Sequence, residues 1–293
     1  MNTGRPIDES LLTEYDPGYG PLVDSTVRIA TWNVWATYGP WQRRQPAIHS
    51  TLRAAAPDIV ALQEAYQSLD GSDDQALEIA TTLGYDHVVY APNLVMGDHR
   101  AGNAIVSRWP ISRRAVHTLP RTVDPVADDE GEERLCVFAE ISGPRGPLQV
   151  FCTHLSWRGD HSAIRRAQVA EIARVVRDAR PRSFPALLCG DLNSTPDSDE
   201  IRALTGKGAV PVRGVWFHDL WEQAGEGAGN TAHRSNPWFA KNLDVDRRID
   251  YILAGNPKLG GVGHVRSIRL IGTEPVDGVI GSDHYGLVAD LRY

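Results

Sequence analysis

Apolar positions along the chain recur with two periods, and the switches between them mark out the elements. Val27, Ile29 and Thr31 alternate with Arg28 and Ala30 and lead into Trp32-Asn33-Val34-Trp35, the period-two pattern of a strand. From Trp41 to Ala55 the spacing becomes helical, with Ile48, Leu52 and Ala55 on one face and Pro57 as the stop. Asp58-Ile59-Val60-Ala61-Leu62-Gln63-Glu64 reads as a second buried strand that ends in a carboxylate. Ser72 to Leu83 reads as a helix stopped by Gly84, His87 to Tyr90 as a strand, and Gly102 to Ser107 as another, closed by Trp109-Pro110. Leu135 to Ile141 and Leu148 to Thr153 flank Gly143-Pro144-Arg145-Gly146, a strand–turn–strand signal, and the second strand runs directly into His154. Ser162 to Ala179 is amphipathic, with Ile164, Ala167, Val169, Ile172 and Val176 apolar, and Pro181 terminates it.

The apolar run Ala186-Leu187-Leu188-Cys189 stops at Gly190, and Asp191-Leu192-Asn193 follows before Thr195-Pro196 breaks the chain. Asp197 or Ser198 is expected to cap a helix through Leu204, and Phe217 to Gln223 to form a short helix or turn. Arg248 to Leu253, Val265 to Ile271 and Gly286 to Leu291 read as strands. Residues 1–26 read as a polar, poorly ordered arm. Residues 121–133 read as an exposed acidic loop, and 230–246 as a long polar and aromatic one. No repeat or linker divides the rest, so one domain is expected over 27–293. Strands and helices mix without strict alternation, and several strand pairs are hairpin-like. That favours an α/β fold with sheets of mixed direction covered by helices over a doubly wound parallel sheet.

Composition narrows the function classes. Of 293 residues 42% are hydrophobic and 23% charged, ordinary for a globular protein with a sizeable core. A net charge of -7 argues against a protein held to nucleic acid by bulk charge, but not against a nuclease with a locally basic groove. Cys136, Cys152 and Cys189 lie in apolar strand-like runs, which points to buried free thiols and a reducing compartment. Nothing near them looks built to activate a thiol. There is neither a basic–apolar leader nor an apolar run of about 20 residues, so a cytoplasmic setting is expected.

Chemically able residues gather at strand ends: Asn33, Glu64, His154, Asp191 with Asn193, and Asp250, with Asp283-His284 just before the last strand. Each has a plain structural explanation, and an Asp-x-Asn after a strand is more often turn chemistry than a catalytic pair. Asp250 is harder to dismiss, since an acid between Ile249 and Tyr251 in an apolar strand is costly unless paired or ligated. If Asp191 and Asn193 lie in extended backbone, both point to one side. A carboxylate there can take a proton from water, and an amide can donate to a developing oxyanion. Strand ends of one sheet converge on one edge, which makes a shared site the better reading. No His-x-x-x-His zinc pattern and no Gly-x-Ser-x-Gly elbow competes with it.

Seven segments in order resemble the endonuclease/exonuclease/phosphatase superfamily with its DNase I-like fold. They are Thr31-Trp32-Asn33-Val34-Trp35, Leu62-Gln63-Glu64, Gly102-Asn103-Ala104-Ile105-Val106-Ser107, Thr153-His154-Leu155, Gly190-Asp191-Leu192-Asn193, Arg248-Ile249-Asp250-Tyr251 and Ser282-Asp283-His284. The resemblance implies a four-layer α/β/β/α sandwich, a divalent metal (magnesium, or manganese in its place) and hydrolysis of a phosphoester. It implies Glu64, Asn33 and Asp283 at the metal, and Asp191 activating water. It implies Asn193 on a phosphate oxygen, His154 and His284 clamping the phosphoryl group, and Asp250 orienting a histidine. Oxygen ligands suit a hard cation, and in-line displacement at phosphorus needs a positioned water and neutralised oxygens.

The core does not choose the substrate. Segments 36–46, 93–101, 156–161 and 230–247 are expected to be loops that do. They carry Arg43, Arg44, Arg100, Trp157, Arg158 and Trp238 among their arginines and aromatics, groups able to cradle phosphate and stack a base. Arg100, Asn103, Trp157, Arg158 and Trp238 are the expected substrate contacts. The expected substrate is a nucleic acid, a nucleotide-like small molecule or a lipid headgroup. A lipid-headgroup phosphodiesterase and a non-catalytic scaffold of the same fold stay open, and no obligate protein partner is implied.

Overall fold

The computed structural model describes residues 25–121, 133–180, 183–242 and 245–293. The expected arm and acidic loop therefore lie almost wholly outside the described residues. In chain order the elements begin β1 (Thr26–Asn33), α1 (Trp41–Ala55), β2 (Ile59–Ser68), α2 (Gln75–Leu83), β3 (His87–Met96) and β4 (His99–Ser107). They continue with β5 (Ile111–Thr118), β6 (Leu135–Gly143), β7 (Gly146–His154), α3 (Ser162–Ala179), β8 (Leu187–Asp191) and α4 (Asp199–Leu204). The last are β9 (His218–Asp219), α5 (Leu220–Ala224), β10 (Asp250–Ala254), β11 (Val265–Ile271) and β12 (Gly286–Arg292).

Two six-stranded sheets result, in the orders β11-β12-β1-β2-β4-β3 and β5-β6-β7-β8-β10-β9. β1–β2 and β7–β8 are parallel, while the remaining pairs are antiparallel. Period two divides each central strand between two cores. Ile29, Ile59 and Ile105 meet Val137, Val150 and Cys189 between the sheets. Trp32, Val60 and Val106 face Leu52 of α1 and Ile79 of α2. Phe138, Phe151 and Leu188 face Val169 and Ile172 of α3 and Leu204 of α4. The order helices, sheet, sheet, helices is the expected four-layer sandwich. Burial on both faces explains the nearly unbroken apolar runs of β1, β2 and β8.

Several expectations need correction. β2 does not end at Glu64. It runs on to Ser68 across a bulge against β4, where the register shifts between Leu62 and Ala65 and Glu64 takes φ 54°. α2 starts at Gln75 rather than Ser72, because Asp74 caps it by accepting from the Leu77 N–H. Residues 93–101 are not a loop but the paired ends of β3 and β4. The chain 111–118, left unassigned by periodicity, forms the edge strand β5.

Candidate active site

The first sheet supplies Asn33 at the end of β1 and Glu64 at the β2 bulge. A bulge re-aims a side chain, and here it turns Glu64 into a cleft while the strand continues past it. The second sheet supplies His154 and Asp191 from the ends of β7 and β8, paired with one another, and Asp250 from the start of antiparallel β10, paired with Asp191. Asp283 and His284 come from the turn before β12. The convergence thus runs across the facing edges of two sheets, not along one. The cleft of about 430 Å³ is lined by Glu64, His154, Asp191, Asn193, Asp283 and His284, with Trp35, Tyr38, Arg134 and Trp157 around them.

Asp191 sits at the centre. Its Oδ2 accepts from Asn33 Nδ2 at 3.1 Å and lies 3.5 Å from His154 Nε2 and 3.8 Å from His284 Nδ1. Its Oδ1 accepts from the Asn193 N–H at 2.9 Å. Asn193 is not extended. β8 stops at Asp191, and Asn193 lies in the left-handed region at φ 48°, with its Nδ2 donating to the Leu155 carbonyl at 3.1 Å. Turn chemistry and a cleft position coexist in one Asp-x-Asn. Asn33 Nδ2 also donates to Glu64 Oε1 at 2.9 Å, so one amide spans the carboxylates of both sheets. Its own Oδ1 accepts from the Trp35 N–H. His284 Nδ1 lies 2.9 Å from Asp250 Oδ2, and Asp250 is fully buried.

Burial and mutual repulsion set the protonation states. Burial, followed by the Asp283 charge, pushes the Glu64 carboxyl up to about 7, against the pull of the Asn33 hydrogen bond. Burial and the Asp250 charge push Asp191 up to about 6. Burial also raises Asp283, partly offset by His284 and Arg44. Burial and then the charges of Arg134 and His284 hold His154 well below the ordinary histidine value. For His284 burial acts in the same direction, but the charges of Asp250 and Asp191 outweigh it and leave the ring well above that value. The site therefore pairs a neutral His154 with a cationic His284 beside two carboxyls, Glu64 and Asp191, raised towards neutrality.

The expected substrate contacts separate. Trp157 lines the cleft and is 56% exposed. Arg158 lies over the Trp157 ring at 5.6 Å, and Trp238 packs behind Trp35 at 5.9 Å, both set back from the cleft wall. Arg100 donates to Gln67 Oε1 and does not line the cleft. Asn103 is buried and donates to the Leu135 carbonyl, so it holds the start of β6 instead. Arg44 is not a loop cation either. It is buried in α1 and donates to the carbonyls of Val34, Trp35, Ala36, Tyr38 and Gly281, tying the chain after β1 to the turn before Asp283. Sequence reasoning passed over Arg134, whose signal was a cation placed directly before the apolar run of β6.

A family model described as the endonuclease/exonuclease/phosphatase family matches residues 30–284. The chain is 28% identical over 178 residues to the uncharacterized protein YbhP of Escherichia coli (strain K12), a match covering 57% of this chain and just under two thirds (66%) of YbhP. It is also 28% identical over 267 residues to Protein angel of Drosophila melanogaster, covering 85% of this chain and 71% of that one. Among solved structures, that of an endonuclease/exonuclease/phosphatase from Beutenbergia cavernae is 26% identical. It has a TM-score of 0.68 and covers 91% of this chain and 71% of its own. Members of the matched family typically hydrolyse phosphoester bonds and generally depend on a divalent metal. On the extent of that match and the shared fold, the chain belongs to the endonuclease/exonuclease/phosphatase family.

Proposed function

We propose that the cleft is the active site of a divalent-metal-dependent phosphoester hydrolase. The observation that carries this reading is the setting of Asp191. Its carboxylate is oriented by Asn33 and Asn193 and lies between a neutral His154 and a cationic His284. Asp191 takes the proton of a water placed for in-line attack on phosphorus. His284, held through Nδ1 by Asp250, turns Nε2 to a phosphoryl oxygen. His154 and the second N–H of the Asn193 amide serve the other oxygens.

A hard cation fits the Glu64 side of the cleft. Glu64 and Asp283 repel one another there, and their ionisation is held back by burial. A magnesium ion bound by these carboxylates, or manganese in its place, would neutralise the charge that builds on the phosphoryl oxygens. Asn33 belongs to this assignment as the residue that holds Glu64 in register. Donor atoms of Asp191, Asp250 and His284 also lie within 4.8 Å of one another. There, however, the His284 nitrogen that would ligate is already engaged with Asp250, so we read that trio as the proton-handling group.

The substrate carries a phosphate. Trp35, Tyr38 and Trp157 on the cleft wall suit a nucleotide unit of a nucleic acid or of a small molecule, and a lipid headgroup is the competing choice. Three free, buried cysteines support a reducing, cytoplasmic setting. No helix among the described residues is long and apolar enough to cross a membrane.

The test uses a chromogenic phosphodiester and its monoester with Mg²⁺, with Mn²⁺ and with EDTA, alongside single-stranded DNA and RNA. Cleavage is expected with metal and abolished by EDTA, and Asp191→Asn is expected to cut turnover by about 10²–10⁴. Because Asp191 is held ionised at a cost, its melting temperature should hold or rise in that variant. Full activity in Asp191→Asn would overturn the assignment.

A further inference from the structure

At the far end of β8 and β10 from the cleft lies a second pocket, of about 340 Å³, a size that takes one small molecule. The five residues of β8 put roughly 13 Å of strand between it and Asp191. Part of its lining is apolar: Val176 of α3, Ala186 before β8 and Phe217 before β9. The rest is not. Arg177, Arg213 and Lys258 line it with Trp216 and Asn256, and none of the described lining residues carries a carboxylate. In a chain with 37 acids against 30 lysines and arginines, that is a local reversal of sign. A concave wall of one sign concentrates ions of the other. The larger groove between α3 and α4 lacks this polarity, since Asp199 lines it beside Arg166 and Arg202.

The cations are presented rather than neutralised. The Val215 N–H donates to the Val212 carbonyl at 3.0 Å and closes a turn with Arg213 and Gly214 at its tip, Gly214 taking φ 84°. Val212 anchors one side of this turn in the protein, and Phe217, whose N–H donates to the Leu204 carbonyl, anchors the other. The Lys258 N–H is likewise held, by the Val262 carbonyl. Neither the Arg213 nor the Lys258 side chain makes a hydrogen bond or ion pair among the described residues. Arg177 pairs with Asp178 at 2.9 Å, an exposed contact that a phosphate can displace. The half-buried Trp216 ring meets the His218 ring with centroids 4.7 Å apart, and His218 Nε2 lies 3.0 Å from Asn256 Oδ1. The aromatic wall is thereby tied to the exit of β10. A braced indole beside free cations is equipment for stacking a base and holding a phosphate.

We propose that this pocket binds a nucleotide, its phosphate on Arg213 and Lys258 and its base against Trp216. The indole and the apolar lining set it apart from a site for a bare inorganic anion. Cations without a carboxylate set it apart from a site for a metal or an amine. The pocket shares no lining residue with the cleft, so the proposal stands or falls apart from the phosphoester reading.

The test is calorimetric titration of the full chain, in EDTA and at low salt, with adenosine 5′-monophosphate, adenosine and inorganic phosphate. The native protein should bind the nucleotide with a Kd on the order of 0.1 mM, and each half of it about tenfold more weakly or worse. Arg213 and Lys258 are exposed, so the double variant Arg213→Gln/Lys258→Gln should keep the native melting temperature. Its affinity for the nucleotide should fall about tenfold or more. Trp216→Leu should weaken nucleotide and adenosine about fivefold or more and leave phosphate unchanged. Should that variant not fold, the exposed pair decides alone. Asp191→Asn should bind the nucleotide as the native chain does. Nucleotide binding unchanged in the Arg213/Lys258 variant would put the probe elsewhere and overturn the proposal, as would no binding to the native protein. Phosphate bound as tightly as the nucleotide would leave a simple anion patch and overturn it too. Absence of turnover on every phosphoester, with nucleotide binding intact and dependent on Arg213 and Lys258, would sink the hydrolase reading and support this one.

Discussion

A single carboxylate can report whether the cleft is built for a cation. Glu64, pushed up to about 7 by burial and by Asp283, keeps its proton in the folded protein through a window where the unfolded chain, near 4.3, has lost it. The folded state then binds more protons, so stability falls as pH rises from about 4.3 to 7. Asp191, at about 6, adds the same sign. His154, held low, opposes it below about 6.5. Glu64→Gln removes only the first contribution. The EDTA-treated native protein should therefore lose on the order of a few degrees of melting temperature relative to Glu64→Gln across that window. Added Mg²⁺ should restore it in the native protein alone. Parallel pH profiles for the two proteins, or equal stabilisation of both by Mg²⁺, would remove Glu64 from the metal site. Residue types were legible in the sequence, since an acid or a histidine after an apolar run is conspicuous. Their conformations were not: the left-handed backbone of Asn193 and the bulge at Glu64 answer to neighbouring strands.

At the scale of elements, the loops that leave the strand ends at the cleft share one buried clamp. Glu200 of α4 accepts from Arg165 Nε of α3 at 2.6 Å, from Ser194 at 2.6 Å and from Ser162 at 2.8 Å. Arg165 also donates to the carbonyls of Ser156 and Arg158. The clamp thus holds both the loop with Trp157 and the loop with Asn193. Burial alone would raise the Glu200 carboxyl, but the hydrogen bonds of Ser194 and Arg165 outweigh it and leave it low. Its contribution is complete above the unfolded value near 4.3 and is lost as pH falls through the lower folded value. Glu200→Ala strands the Arg165 charge and should cost about 3–5 kcal/mol in urea unfolding at neutral pH, while an Arg165→Met/Glu200→Leu pair should cost far less. A loss under about 1 kcal/mol in Glu200→Ala would mean that the pair is solvated and clamps nothing. Periodicity gave α1, α3 and β11 their observed bounds because each buries one clear stripe or face. It missed β5 because an edge strand with only one neighbour exposes most of its residues.

The whole molecule matters because the site belongs to neither sheet alone. Asn33 and Glu64 ride on one sheet and His154, Asp191 and Asp250 on the other, so the constellation exists only when the two apolar faces meet. That division was not legible in the sequence, where all five read as ends of a single sheet, because only tertiary pairing reveals which strands share hydrogen bonds. Directly beneath the site the sheets touch through polar groups: Gln63 Nε2 of β2 lies 3.2 Å from Cys152 Sγ of β7, and that thiol lies 3.3 Å from the Leu62 carbonyl. Burial pushes the Cys152 thiol up to about 12, so it is neither reachable nor ionised while the sheets are docked. Cys136 and Cys189 are raised by the same cause. In a urea series, three events should then share one midpoint: loss of phosphoesterase turnover, reaction of the three thiols with a chromogenic disulfide, and loss of far-ultraviolet circular dichroism. Separation of the sheets exposes the cysteines and scatters the side chains of the cleft in one step. Turnover lost well before the thiols react would show that the loops around Asn193 and Trp157 loosen while the sheets stay docked. The clamp at Glu200, and not the sheet interface, would then set the limit on function.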